Sequence, residues 1–137
     1  MFFKKEEIKN NNFLTKICAL LIHAAKIDEN YTPKEEDIIK EALMEIGATE
    51  EDLEGLLNKA KIIEANSVQI LEFTKEVKNM TNSNKIKIIE TLWSIIYSNK
   101  EADIYETNLM RRLAGLLYID TKTMGDIKER IKNQNSE

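Results

Sequence analysis

Two short stretches of this sequence group carboxylates and amides at spacings that a hard cation would use. The first, AAKIDENYTPKEEDIIKEALMEI from Ala24 to Ile46, offers the oxygens of Asp28, Asn30 and Glu35. The second, IIYSNKEADIYETNLMRRLAGLL, begins 71 positions later and offers Asn99, Glu101 and Glu106. Oxygen donors of this kind are the natural ligands of a divalent cation such as Ca²⁺.

Glu35 and Glu106 are the unusual members. On a helical wheel Glu35 falls inside the apolar arc of Ile38, Ile39, Ala42, Leu43 and Ile46, and Glu106 inside that of Tyr105, Leu109, Met110, Leu113 and Leu117. An unpaired charge buried there costs several kcal/mol. Each glutamate also sits in the first turn of a helix, where free backbone N–H groups and the helix dipole stabilise a negative charge. Two readings follow. Thr32 with Glu35, and Asp103 with Glu106, form capping boxes; or the same acids join Asp28, Asn30 and Asn99 as metal ligands. The start of the first stretch, Asp28-x-Asn30-x-Thr32, has the look of an EF-hand loop. Pro33 replaces the glycine that loop requires and Ile39 stands where its bidentate glutamate belongs, so an EF-hand is excluded.

No other constellation carries chemistry. The chain has no Gly-rich phosphate loop, no Ser–His–acid arrangement and no pair of cysteines. His23, the single histidine, is placed on the polar side of its helix with Thr15, Lys16 and Lys26, and has no partner for a two-histidine metal site. Cys18 lies in an apolar run and reads as a buried small hydrophobe. Tyr97, Tyr105, Tyr118 and Trp93 recur at helical spacings and read as core or interface.

The elements that position these residues are helices. Past a polar break at Asn10-Asn11-Asn12, Phe13 to Ile27 forms a helix with Leu14, Ile17, Cys18, Leu21 and Ala25 on one face. Thr32 caps the next, Pro33 suits its first position, and Gly47 stops it after Ile46. Thr49 to Asp52 opens a segment carrying Leu53, Leu56, Leu57, Ala60 and Ile63. Ser67 caps one that runs to Met80. From Thr81–Asn84 to about Asn99 a long helix bears an apolar arc of about 200°, with Lys87, Glu90, Thr91, Ser94 and Ser98 as its polar side. An arc so wide predicts the central helix of the fold. Asp103 caps a helix through Leu117, and Asp120 or Thr121 caps the last, with Met124, Ile127 and Ile131.

A shift of 71 positions lays one half of the chain on the other without a gap. Leu21 falls on Leu92, Thr32 on Asp103, Glu35 on Glu106, Ile46 on Leu117, and Thr49 on Asp120. The match is apolar on apolar and cap on cap. It predicts an all-α, compact bundle of seven to eight helices built from two pseudo-symmetric helix–loop–helix halves, about 13–65 and 84–131. Residues 1–12 are an N-terminal extension, 13–131 the helical domain, and 132–137 a frayed tail.

The chain's 137 residues suit one domain with a real core. Four Gly and one Pro leave little turn chemistry for a many-stranded β fold. Twenty basic and 24 acidic residues are interspersed, for a net charge of −4, so there is no basic footprint for nucleic acid. The start, MFFKKEEIKNNN, lacks the apolar core of a signal peptide, and no apolar run is long enough to span a membrane. A cytoplasmic protein is expected, with Phe2 and Phe3 beside Lys4 and Lys5 either packing or touching a membrane peripherally.

The stretch LWSIIYSNKEADIYETNLMRRLAGLLYID resembles the second half of the tellurite-resistance protein B (TerB-like) family. That family's pattern has an apolar helix, an Ala-Asp-Gly turn, a Tyr-Glu pair, Leu-x-Arg-Arg and a Leu-rich stretch. LLIHAAKIDENYTPKEEDIIKEAL resembles its other repeat, with Asp28 and Glu35 in the acidic positions. The likeness runs from about Phe13 to Ile131. It implies an all-α fold in two similar halves and an acidic cluster thought to bind metal ions. It also implies links to tellurite and other stress resistance; a related domain precedes the J-domain of membrane-anchored DnaJ-like co-chaperones. The chain departs from the pattern at Ser98-Asn99-Lys100, where a neutral amide replaces the aspartate, and at Glu29, where the first half would have glycine.

These readings converge on a non-enzymatic binding or scaffold module. It has a protein partner and a weak divalent-cation site at Asp28, Asn30 and Glu35, with Asn99 and Glu106 as counterpart. The alternatives are a purely structural interaction module whose acids are helix caps, and a metal-dependent hydrolase.

Overall fold

In a computed structural model the backbone is described over residues 2–27, 32–66, 71–98 and 104–135. Among these residues the chain is all helix. The order is α1 (Phe2–Lys26), α2 (Pro33–Ile46), α3 (Leu53–Asn66), α4 (Leu71–Lys78), α5 (Asn82–Tyr97), α6 (Ile104–Leu116) and α7 (Thr121–Asn135).

Helix ends fall where the local chemistry puts them. Thr32 holds an extended backbone (φ −97°, ψ 159°), Pro33 occupies the first turn, and α2 closes at Gly47 with φ 134°. The Ala48 amide then donates to the Leu43 carbonyl at 2.9 Å. Thr81 caps α5 by accepting from the Asn84 amide at 3.3 Å, and Asp120 caps α7 by accepting from the Thr123 amide at 2.7 Å.

Two boundaries differ from the expectation. Helix α1 starts at Phe2 and runs through Asn10-Asn11-Asn12 without a break. Asparagine costs an interior helical position only about 0.7 kcal/mol against alanine, and three such costs do not end a helix that is anchored downstream. Helix α7 likewise continues to Asn135, into the stretch expected to fray. The expected cap Ser67 lies outside the described residues, as does Asp103.

The core is one contiguous cluster. It takes Ile17, Cys18, Leu20 and Leu21 from α1, Ile39 and Leu43 from α2, Leu56 and Ala60 from α3, Phe73 and Val77 from α4, and Ile88, Ile89, Leu92, Ile95 and Ile96 from α5. Leu113, Met124 and Ile127 extend it under α6 and α7. The central place expected of α5 is shared with α1. Helix α1 packs on α2, α3, α4 and α5, whereas α5 packs on α1, α2 and α7. From Leu14 to Ala25 only Lys16 and His23 escape burial, so Thr15 is inside and not on a polar face. Thr91, expected on the polar side of α5, is buried too; its hydroxyl donates to the Lys87 carbonyl at 2.8 Å, the local bond that lets a threonine enter a helix-lined core.

The pairing of α1 with α3 recurs as α5 with α7. The turns after α2 and α6 also match at the offset of 71. Ala48 N–H donates to Leu43 O and Ile119 N–H to Ala114 O, both at 2.9 Å, and the residue before each, Gly47 or Tyr118, has positive φ. Beyond that the halves pack differently: α2 lies on α1 and α5, while the close neighbour of α6 is α4.

Candidate functional site

The first turn of α2 holds Glu35 under the surface, at 1% exposure. Its Oε1 accepts from the Thr32 amide at 2.8 Å and from the Thr32 hydroxyl at 3.0 Å, and its own amide donates to Thr32 Oγ1 at 3.2 Å. This is a complete capping box. Two of the helix's orphan donors are satisfied, and the carboxylate sits at the positive end of the dipole.

Glu106 occupies the same position in α6 and is also buried, at 4% exposure. Its charge reaches Tyr97 at the end of α5. The Tyr97 phenol is held above its ordinary range, first by burial and then by the carboxylates of Glu129 and Glu106. Tyr97 therefore stays a protonated hydrogen-bond donor through neutral pH. Its ring stacks on Trp93 with centroids 5.8 Å apart.

One contact ties the first turn of α2 to the end of α5. Lys34, beside Glu35, donates its Nζ to the carbonyl of Ser98, the C-cap of α5, at 3.4 Å. The first turn of α2 thus meets the C-terminus of α5, where the charge of Glu106 also reaches Tyr97. The remaining sequence candidates, Asp28, Asn30, Asn99 and Glu101, lie outside the described residues. Among the described residues no group of three or more His, Cys, Asp and Glu side chains is arranged to hold a metal ion.

His23 does not stand alone in solvent. Its Nδ1 lies 3.4 Å from Glu64 Oε1, and Lys26 Nζ lies 2.7 Å from Glu64 Oε2, so both residues clamp α1 to α3. No signal at local spacing announces this, because Glu64 is 41 positions from His23. An acidic surface runs over α2 and α3. Asp37, Glu41, Glu50 and Glu54, with Lys40, line an open groove of about 590 Å³ together with Met44 and Leu53. No described helix is long and apolar enough to cross a membrane.

Compared with known families, residues 14–129 match the model described as tellurite resistance protein TerB. No curated protein and no solved structure gives a significant match.

Proposed function

The chain belongs to the tellurite resistance protein TerB family, and from that premise we propose that it is a non-enzymatic binding module of a stress-resistance system, tuned by a weakly held divalent cation. The ligands are Asp28, Asn30 and Glu35 from the first half, with Asn99 and Glu106 as the second-half counterpart. The observation that carries this reading is the pair of buried carboxylates, Glu35 and Glu106, in the first turns of α2 and α6. Burial of a carboxylate is costly, and a cation held in each half would offset that cost. The acidic groove on α2 and α3 supplies the surface offered to a protein partner, in the cytoplasm.

A second reading is favoured by the completed box at Thr32 and Glu35, which accounts for the burial of Glu35 with no ion. Thermal melts in a chelator and in millimolar Ca²⁺ or Mg²⁺ separate the two. Cation binding to the folded state raises Tm, with a stabilisation of about 1.4 kcal/mol at tenfold excess over Kd. Glu35→Gln abolishes the rise if Glu35 is a ligand, and leaves it unchanged if Glu35 is a cap alone.

A further inference from the structure

Helices α6 and α7 follow one another through a short turn but splay apart, leaving a groove of about 430 Å³. Trp93 of α5 lines it, with Met110 and Ala114 from α6 and Met124 from α7. Two further facts set this groove apart from an ordinary gap.

Gly115 and Gly125 line it from opposite helices, and a Cβ built on either would meet nothing within 4 Å. Glycine inside a helix costs about 1 kcal/mol against alanine. Among the described residues no packing contact requires that cost at either position, and its effect is to keep both walls low. Separately, Trp93 is buried, at 2% exposure, and among the described residues its indole N–H has no acceptor. A buried donor left unpaired costs about 1–3 kcal/mol.

The rim is basic. Arg111 and Lys128 both line the groove, and neither is ion-paired with a carboxylate among the described residues. The Lys128 ammonium lies over the Trp93 ring, 5.5 Å from its centroid.

We propose that this groove docks an acidic amphipathic helix of a partner protein. The apolar stripe of that helix lies on the half-buried Ala114 and Ile119, above a floor formed by Trp93, Met110 and Met124. The glycines let its backbone approach α6 and α7 more closely than side chains would allow. Its carboxylates pair with Arg111 and Lys128, and an oxygen carried down the groove completes the Trp93 N–H. Helix-in-groove recognition needs this combination of an apolar trough and a charged rim. The groove reaches Thr107, next to Glu106, but none of the proposed cation ligands lines it, so it stands or falls independently of the cation.

Trp93 is the only tryptophan in the chain, so its fluorescence reports occupancy directly. The probe is a synthetic helical peptide with leucines at i, i+3, i+4 and i+7 and glutamates elsewhere. Its controls are the same peptide with lysines for glutamates, oleate, and the protein alone over a concentration series. The expected result is saturable binding of the glutamate peptide with a shift in Trp93 emission. Gly115→Leu, which fills the trough at a position where added atoms meet open space, weakens binding about tenfold or more without lowering Tm, and Arg111→Glu with Lys128→Glu weakens it similarly. The proposal is overturned by any of four outcomes. These are no binding of the glutamate peptide, equal binding of the lysine peptide, unchanged binding to Gly115→Leu, or a response to oleate or to protein concentration in place of the peptide.

Discussion

The Thr32 amide donates to Glu35 Oε1 at 2.8 Å while the Glu35 amide donates back to Thr32 Oγ1 at 3.2 Å. Because this exchange seals the start of α2, breaking either side destabilises the fold. Thr32→Ala is expected to cost about 1 kcal/mol in urea unfolding. Glu35→Ala costs more, because it removes the cap acceptor and empties a buried site. Equal, negligible losses for both would show that the box is not a stability element.

Gly47 and Tyr118 occupy equivalent turns and predict substitutions of opposite sign. Gly47 has φ 134°, so Gly47→Ala forces a side chain into a region that L-residues avoid and lowers stability by about 1 kcal/mol or more. Tyr118 has φ 58° and is exposed, with the Lys78 ammonium over its ring at 4.9 Å. Tyr118→Gly relieves the left-handed strain, and a small net gain, on the order of 0.5 kcal/mol, is expected after the exposed cation–π contact is lost. Chemical denaturation of the two variants checks both signs.

Much of this fold is readable from local chemistry, and what is not readable shares one cause. Thr32, Pro33 and Gly47 bound α2 because caps and stops act within a few residues. The apolar arc of α5 likewise announces its buried face. Thr15 and Thr91 defeat the wheel because the neighbours that bury them come from distant elements. His23 and Lys26 look solvated until Glu64 arrives from α3, and Trp93 looks like plain core until α6 and α7 are seen to splay above it. Of the candidate site, the inward placement of Glu35 and Glu106 is legible from their positions in an apolar arc. The meeting of the α2 and α5 ends through Lys34 and Ser98 is tertiary and is not.

Cys18 is fully buried, and burial pushes its thiol up to about 12. It should resist disulfide-exchange reagents in the native protein at pH 8 and react completely in urea, at a rate set by unfolding. Rapid labelling of the native state would contradict the packing of α1. The linkage sign follows. With the folded value raised, this thiol's contribution to stability is full below its unfolded value of about 8.5 and is lost as pH climbs through about 12.

At acid pH the direction reverses. Asp120 is held below the ordinary carboxylate range, first by the Thr123 side-chain hydrogen bond and then by the Thr123 backbone amide. Its contribution is present above the unfolded value and is lost as pH falls through the depressed folded one, below about pH 4. Asp120→Asn should flatten the decline of Tm in that window relative to wild type. An unaltered acid profile would mean that the α7 cap is not coupled to protonation.

The central claim is that the acids before and inside α2 and α6 hold a divalent cation, and isothermal calorimetry with Ca²⁺ tests it most directly. Wild-type protein is predicted to give weak, saturable heat that Glu35→Gln reduces strongly and Glu106→Gln reduces less, since Asn99 gives the second half a neutral amide. No heat from wild type at millimolar Ca²⁺, or the same heat from wild type and Glu35→Gln, would contradict it and leave Glu35 as a helix cap.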